Sequence, residues 1–254
     1  MMKKEHLFDN GVKVFDYQLL PIQRERYKKR NVHEEDEEDL FIDIIKGLKK
    51  EALYVSIGTA IGYYPLLAKK INPDIQIHCF EPLPIHLSFL KENIELNDFR
   101  QKDFLIHDIA VSTNFGEVTF ANESYGSSIT TASSKVSTVN SVKNIIKKIV
   151  GKTPYTPTII VQSIPMINLF ALLKTNTIDF VQMDIQGHEH PVLQQYFSDL
   201  NSGETVIKSF LIGTHGIAIH NACKQLLESN GYKIVVDEFE TKNQPDGIIF
   251  CRKD

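Results

Sequence analysis

The sequence predicts an α/β chain built on a doubly wound, mostly parallel sheet, and two observations support this prediction. First, the apolar run at residues 53–57 stops at a Gly-x-x-x-Gly turn, Gly58 to Gly62, and continues as a helix over 63–70. This is the strand, loop and helix order of a nucleotide-binding βαβ unit. Second, short apolar runs alternate with helical patterns through the C-terminal half, and that alternation is typical of parallel sheets.

Length and composition exclude several classes of protein. A chain of 254 residues with 42% hydrophobic residues fits one large α/β domain with a substantial core. The net charge of -4 argues against a general nucleic-acid binder, which needs a basic face. We expect neither a secreted nor a membrane-spanning protein, because no signal-peptide core and no apolar run of about 18 residues occurs. Three scattered cysteines are too few for a disulfide framework and favour a reducing cytoplasm.

The N-terminal residues 1–33 contain few periodic apolar positions, so we predict an irregular arm ahead of a main domain at 34–254. The basic cluster at 24–30 is interpreted as a solvated face, with the binding of an anionic sugar nucleotide as the alternative. The acidic run at 34–39 opens a helix whose later turns carry lysines. Acids first and bases last match the helix dipole.

The remaining elements follow in order. The second strand ends at Glu81, a helix begins near Pro84, and a third strand region spans 103–112 with Asp108 at its turn. The later predictions are strand 158–163, helix 166–173, strand 178–184, helix 189–198, strand 204–212, helix 217–229, strand 231–236 and strand 247–251. Because no crossover helix joins the last two strands, they are predicted to form an antiparallel hairpin at the sheet edge.

Residues 122–157 interrupt this alternation. The segment is rich in Ser, Thr and Asn up to residue 141, and a basic amphipathic stretch follows at 142–152. A loop of this length is uncommon in a compact domain unless it is a lid or disordered. We predict a lid over the substrate; a membrane-surface helix at 145–150 is the alternative.

The glycine turn and Glu81 together indicate a nucleoside ligand. Glycines let the backbone turn tightly and approach a ligand closely. Glu81 follows Gly58 by about 20 residues, where a doubly wound fold places the acid that binds ribose hydroxyls. The turn lacks the middle glycine of G-x-G-x-x-G, which serves a pyrophosphate. S-adenosylmethionine, which has no phosphate, therefore fits better than a dinucleotide, and an NAD-type dehydrogenase is the alternative.

Four successive segments carry a family resemblance: 56–64, 80–84 with 90–97, 107–112 and 179–189. In order and spacing they resemble the motifs of FkbM-type S-adenosylmethionine-dependent methyltransferases, from about residue 30 to the C-terminus. The resemblance implies a class I methyltransferase (Rossmann-like) fold and O-methylation of a hydroxyl on a sugar, nucleotide sugar or related small metabolite. Ser56, Ala60 and Gln186 stand where the family usually has Asp, Asn and Glu. These departures leave a non-catalytic binding protein as another alternative.

The resemblance also implies residues for the cofactor and for catalysis. The cofactor-binding candidates are Ser56, Gly58, Thr59, Gly62, Glu81, Pro82, Asp108, Ile109 and Asp184. Catalytic candidates follow the strands predicted at 178–184 and 204–212, because ligands of open α/β sheets bind beyond the carboxyl ends of strands: Asp184, Glu189 and His215.

Methyl transfer to a hydroxyl needs an in-line approach and a group that removes or acidifies the hydroxyl proton. Asp184 and His215 could act directly as carboxylate and imidazole. Alternatively, the two could share Mg or Mn, which would lower the pKa of the hydroxyl. The run at 188–190, His-Glu-His, lacks the spacing of H-E-x-x-H, so we do not predict a zinc hydrolase.

Overall fold

The computed structural model describes residues 3–121, 158–200, 205–239 and 246–253. The lid predicted at 122–157 lies outside the described residues, and it stays a prediction. In the described part of the chain, no helix is long and apolar enough to cross a membrane.

The N-terminal segment is regular, so the predicted irregular arm is wrong. Strands β1 (Glu5–Leu7) and β2 (Lys13–Phe15) pair antiparallel, and helix α1 (Pro21–Tyr27) follows with a proline in its first turn. Phe8 and Val14 are buried in the same core cluster as residues of the central sheet. Two three-residue strands and a two-turn helix are too short to produce a periodic pattern, which is why the sequence prediction failed.

From residue 35 onward, the predicted strands and helices are present, and one further strand, at Gly116–Ala121, was not predicted. In order they are α2 (Glu35–Gly47), β3 (Leu53–Ile57), α3 (Tyr63–Ile71), β4 (Gln76–Phe80), α4 (Pro84–Leu96), β5 (Leu105–His107), β6 (Ala110–Ser112), β7 (Gly116–Ala121), β8 (Thr158–Pro165), α5 (Leu169–Leu173), β9 (Thr177–Ile178), β10 (Phe180–Met183), α6 (Glu189–Asp199), β11 (Val206–Ile207), β12 (Ser209–Thr214), α7 (Ile217–Ser229), β13 (Lys233–Glu238) and β14 (Gly247–Arg252).

The central sheet has seven strands in the order β13-β14-β12-β10-β3-β4-β5. Six of them run in the same direction, and β14 is antiparallel to both of its neighbours, β12 and β13. The doubly wound sheet and its antiparallel C-terminal pair are therefore confirmed, and this is the class I methyltransferase architecture. The strand order reverses between β3 and β10, and ligands of such sheets bind beyond the carboxyl ends of the strands at that point.

The third strand region, predicted at 103–112, is divided between two sheets. Strand β5 is the edge of the central sheet, whereas β6 pairs with β8 in a separate sheet of order β6-β8-β7. The chain changes sheet at residues 108–109, between the two strands. Because β5 and β6 are only three residues long each, the sequence shows one apolar region instead of two strands.

Both faces of the central sheet are buried, which explains its nearly continuous apolar runs. Successive residues of β3 point to opposite faces: Tyr54 packs with Phe41 and Phe180 on the side of α2 and α3, and Val55 belongs to the cluster on the side of α6 and α7. This two-sided core holds the carboxyl ends of β3, β4 and β10 at fixed positions, and the candidate site lies there.

Candidate active site

A cavity of about 270 Å³ opens at the carboxyl ends of β3, β4 and β10, where the strand order reverses. Three groups of residues line it, from the glycine turn, from the strand ends and from the N-terminal segment. The lining includes Ser56, Gly58, Thr59, Glu81, Pro82, Asp184, Gln186 and Asp246, together with Gln23, Arg26, His33 and Glu34. The cavity thus combines the predicted cofactor turn with the predicted catalytic strand end.

Gly58 and Gly62 both have positive φ, +79° and +89°, in the turn after β3. A Cβ at Gly58 would overlap the carbonyl oxygen of Asp184, and one at Gly62 would overlap the side chain of Leu90. The protein's own packing therefore requires both glycines, in addition to any ligand. Ala60, between them, also has a positive φ of 48°, which is costly for a residue with a Cβ.

Glu81 explains how this strained turn is held. The side chain is 4% exposed; its Oε2 accepts a hydrogen bond from the Ala60 N–H at 2.8 Å and its Oε1 accepts one from the Leu83 N–H at 2.9 Å. His86 Nδ1 lies 3.4 Å from Oε1. A carboxylate fixed at the cavity wall beside a glycine turn suits the ribose hydroxyls of a nucleoside, so these residues fit the predicted cofactor.

The other cofactor candidates divide into two groups. Ser56 and Thr59 are buried at the cavity wall, and the Thr59 hydroxyl donates to the Ser56 carbonyl at 3.1 Å. Asp108 and Ile109 are not among the described residues that line the cavity, and Asp108 is exposed. The strand after them reaches the cavity instead, through Ala110 and Val111.

The structure brings Asp184, Glu189 and His215 together from β10, α6 and the turn after β12. Glu189 is fully buried, and its Oε1 accepts hydrogen bonds from the backbone N–H groups of Ile185 (3.1 Å) and Gly187 (3.0 Å) and from His215 Nδ1 (3.0 Å). Glu189 therefore stabilises the turn after β10 and orients the imidazole. The second nitrogen, His215 Nε2, lies 3.6 Å from Asp184 Oδ1.

The pKa values of this cluster follow from burial and charge. Burial alone would lower the pKa of His215, but the hydrogen bond with Glu189 and the charges of Asp184, Glu189 and Asp246 raise it to about 10. Burial raises the pKa of Asp184 to about 6, although the His215 charge opposes this rise. At neutral pH, His215 is therefore an imidazolium and Asp184 is mostly ionised.

Sequence reasoning missed Asp246, which completes the surroundings of His215. Asp246 Oδ1 lies 3.6 Å from His215 Nε2. Because β14 is antiparallel, its first residue, Gly247, pairs with Thr214 at the end of β12. Asp246, the residue before β14, therefore lies at the carboxyl edge of the parallel strands. The sequence prediction of an antiparallel last strand already implied this position, because such a strand must begin at the active-site edge of the sheet.

The N-terminal segment supplies further lining residues. Gln23, His33 and Glu34 were missed, whereas Arg26 belongs to the basic cluster at 24–30, for which anion binding was the alternative. Burial and the nearby Asp184 raise the pKa of Glu34 to about 7. Burial and the Arg26 charge lower the pKa of His33 to about 3, so this imidazole is neutral. Within the sequence, Glu34 is one carboxylate of an acidic run that the helix dipole already explains. No local pattern distinguishes it from its neighbours.

Comparison with known proteins gives a family match. The model of the FkbM methyltransferase domain matches residues 56–234. No curated protein matches the chain.

Several solved structures are similar to the chain at low sequence identity. The FkbM methyltransferase from Methylobacillus flagellatus is 14% identical, with a TM-score of 0.48, over 80% of this chain and 44% of that one. TrmK of M. capricolum, solved with S-adenosyl-homocysteine, is 12% identical, with a TM-score of 0.45, over 85% and 68% of the two chains. The Pyrococcus horikoshii protein PH0793 is 12% identical, with a TM-score of 0.50, over 98% and 71%. At such identities the likeness concerns the fold alone.

The family match spans most of the chain and includes the glycine turn, Glu81, Asp184 and His215. The chain belongs to the FkbM methyltransferase domain family, and it is an S-adenosylmethionine-dependent methyltransferase.

Proposed function

We propose that this enzyme methylates a hydroxyl group of a sugar, a nucleotide sugar or a related small metabolite. The observation that carries the proposal is the proximity, at one end of the sheet, of a nucleoside-type pocket and a carboxylate–imidazole cluster. Gly58 and Glu81 line the same cavity as Asp184, and His215 Nε2 lies 3.6 Å from the Asp184 carboxylate. A hydroxyl acceptor needs such a cluster, because its proton must leave during transfer.

The cofactor would be held by the turn at 58–62 and by Glu81, whose carboxylate suits the ribose hydroxyls. When bound, S-adenosylmethionine supplies an electrophilic methyl group. The chain's own residues must orient the acceptor and manage its proton. Gln186 stands where the family usually has Glu; its amide donates a hydrogen bond to Asp184 Oδ1 at 3.0 Å. Gln186 therefore orients Asp184 and takes no proton itself.

Of the two candidate bases, Asp184 is favoured by charge. Its pKa of about 6 leaves the carboxylate ionised at neutral pH, whereas the pKa of His215, about 10, means that the imidazole already carries its proton. In this scheme Asp184 Oδ accepts the hydroxyl proton. His215, oriented by Glu189, stabilises the charges around it.

Two observations favour a metal-assisted variant of the same reaction. Asp184, Glu189 and His215 each offer a ligand atom, and these atoms lie within 4.8 Å of one another. Glu189 Oε2 is buried and finds no hydrogen-bond partner among the described residues. Carboxylate and imidazole ligands suit Mg or Mn, so these three side chains would hold the ion, and the metal would acidify the acceptor hydroxyl.

The test uses methyl-labelled S-adenosylmethionine with a panel of sugars and nucleotide sugars, and NMR identifies the methylated atom. We expect an O-methyl product and a fall in kcat of about 10²- to 10⁴-fold in Asp184→Asn. Labelled product on nitrogen or carbon, or full activity of Asp184→Asn, would contradict the proposal. Loss of turnover after chelation, with recovery on adding Mg or Mn, would support the metal; full activity after exhaustive chelation would exclude it.

The three cysteines, Cys79, Cys223 and Cys251, are all buried and free. Free thiols suit a reducing compartment, and we therefore propose a cytoplasmic location for the enzyme.

A further inference from the structure

Arg26 introduces a cation into a cavity whose other charged groups are acids. Among the described residues that line the cavity, Arg26 is the only arginine or lysine, whereas Glu34, Glu81, Asp184 and Asp246 are carboxyl groups. The sequence interpretation of 24–30 as a solvated face therefore does not hold for Arg26. The guanidinium remains charged at all relevant pH values.

The side chain of Arg26 is held in place, but its guanidinium group does not use all of its hydrogen-bond donors. It lies over the Tyr27 ring at 5.6 Å, and its nearest carboxylate oxygen, Glu34 Oε1, is 4.0 Å from Nη2. That distance is beyond hydrogen-bond reach. Arg26 Nε is buried and has no hydrogen-bond partner among the described residues. A buried donor without a partner costs about 1–3 kcal/mol, which a suitable ligand would recover.

The other arginines of the basic cluster behave differently. Arg30 makes a two-bond ion pair with Asp39, at 2.6 and 3.0 Å, on the protein surface. Arg24 donates to the carbonyl oxygen of Asp16 and lies 3.3 Å from its carboxylate. Neither Arg24 nor Arg30 is among the described residues lining the cavity. Arg24 Nε, like Arg26 Nε, is buried and has no hydrogen-bond partner among the described residues. Arg26 therefore differs from Arg24 and Arg30 in lining the cavity.

The position of Arg26 favours the acceptor over the cofactor as its ligand. Arg26 lies next to Glu34, and the charge of Glu34 interacts with Asp184, Asp246 and His215. Asp184 and Asp246 line the cavity, and both lie beside His215 of the proposed catalytic cluster. Glu81, the residue for the nucleoside, follows a different strand, β4. A group bound by Arg26 would therefore belong to the molecule that enters beside Asp184.

We propose that Arg26 binds an anionic group of the acceptor, a phosphate or a carboxylate carried by the sugar, and this inference rests on the proposed function. The planar guanidinium presents its donors as a fork that matches either anion with two parallel hydrogen bonds. The acceptor class is thereby narrowed from sugars in general to acidic sugars and sugar phosphates, including nucleotide sugars.

The test is isothermal titration of the protein saturated with S-adenosylhomocysteine. The probes are glucose, glucose 1-phosphate, glucuronate and UDP-glucose; they share a sugar ring and differ in the anionic group. We expect at least one of the anionic probes to bind tenfold or more tightly than glucose. The comparison of glucose 1-phosphate with glucuronate decides between phosphate and carboxylate. Equal binding of glucose and of all anionic probes, or no binding of any anion, would overturn the proposal.

Variants of Arg26 test whether this residue is responsible for anion binding. Arg26→Ala should weaken binding of the preferred anion by about 10- to 100-fold, and Arg26→Lys, which keeps the charge without the fork, should fall between. Arg30→Ala is the matched control, because it removes an equal charge from the same segment outside the cavity. Affinity for S-adenosylhomocysteine should stay unchanged in all three variants, which also reports that they are folded.

Two results would count against Arg26 as the acceptor-binding residue. Wild-type anion binding in Arg26→Ala would exclude the contact. A tenfold loss of S-adenosylhomocysteine affinity in folded Arg26→Lys would assign Arg26 to the cofactor. Because titration requires no turnover, the two failures are distinguishable: anion binding at Arg26 without any sugar methylation would refute the proposed function, whereas methylation without anion binding would refute only the role of Arg26.

Discussion

The exchange of Glu81 for Gln separates two tasks that the structure combines in one carboxylate. Glu81 holds the glycine turn through the Ala60 and Leu83 N–H groups, at 2.8 and 2.9 Å, and it is the residue proposed to bind the ribose hydroxyls. The sequence alone assigned Glu81 only to the ribose hydroxyls of the cofactor. The two backbone hydrogen bonds mean that stability must fall as well.

The magnitude follows from those contacts. A hydrogen bond to a charged group contributes about 1.5–3 kcal/mol. Glu81→Gln keeps one acceptor oxygen but presents an NH₂ group to the other N–H, so the free energy of unfolding should fall by about 2–3 kcal/mol. Glu81→Ala loses both bonds and should cost about 3–6 kcal/mol. Affinity for S-adenosylhomocysteine should fall at least tenfold in Glu81→Gln.

Urea unfolding measures the stability, and isothermal titration of the folded variant with S-adenosylhomocysteine measures the affinity. Glu117→Gln is the control, because Glu117 is an exposed carboxylate on β7. Wild-type affinity in folded Glu81→Gln would refute the assignment of Glu81 to the cofactor. Unchanged stability would show that the two backbone hydrogen bonds contribute nothing.

Three further predictions concern the turn, the N-terminal acid and the histidine. Gly58→Ala should lower the free energy of unfolding, measured in urea, by about 3 kcal/mol, because φ is positive and the Cβ would overlap a carbonyl oxygen. The control Gly47→Ala, which has open space around its Cβ, should be neutral or stabilising. Glu34 has a folded pKa of about 7 against an ordinary value of 4.5, so its stabilising contribution is complete below pH 4.5 and is lost as the pH rises through 7. Glu34→Gln should therefore gain stability over the wild type across that interval in thermal unfolding, and a constant difference would contradict the raised pKa. Glu189→Gln should lower the pKa of His215 from about 10, as followed by NMR titration of the imidazole, and an unchanged value would show that Glu189 does not act on it.

The part of the site that was predictable lies at the ends of long apolar runs. Gly58, Glu81 and Asp184 each follow a strand buried on both faces, so their place at the carboxyl edge follows from parallel pairing alone. Because β10 and β12 are neighbours, Glu189 and His215 could be expected to lie near each other. The hydrogen bond between them could not be predicted. The pKa of His215, near 10, can be inferred only from the distance between the two side chains and from their burial.

The short strands mark the limit of prediction from sequence. Strands β1, β2, β5 and β6 have three residues each, and three residues cannot reveal a period. As a result, the N-terminal hairpin was missed, and one predicted strand region proved to be two strands in different sheets. Asp108, expected near the cofactor, lies exposed where the chain changes sheet.

By itself, the sequence determined the doubly wound sheet, its antiparallel end and the turn that defines the cofactor side, because periodicity and glycine placement act over a few neighbouring residues. Only the tertiary structure decided which charges meet. Arg26 and Glu34 reach the cavity through packing of the N-terminal segment, and Asp246 reaches it through the direction of β14. The strength of a charge interaction depends on distance and burial in three dimensions, and no local pattern encodes either.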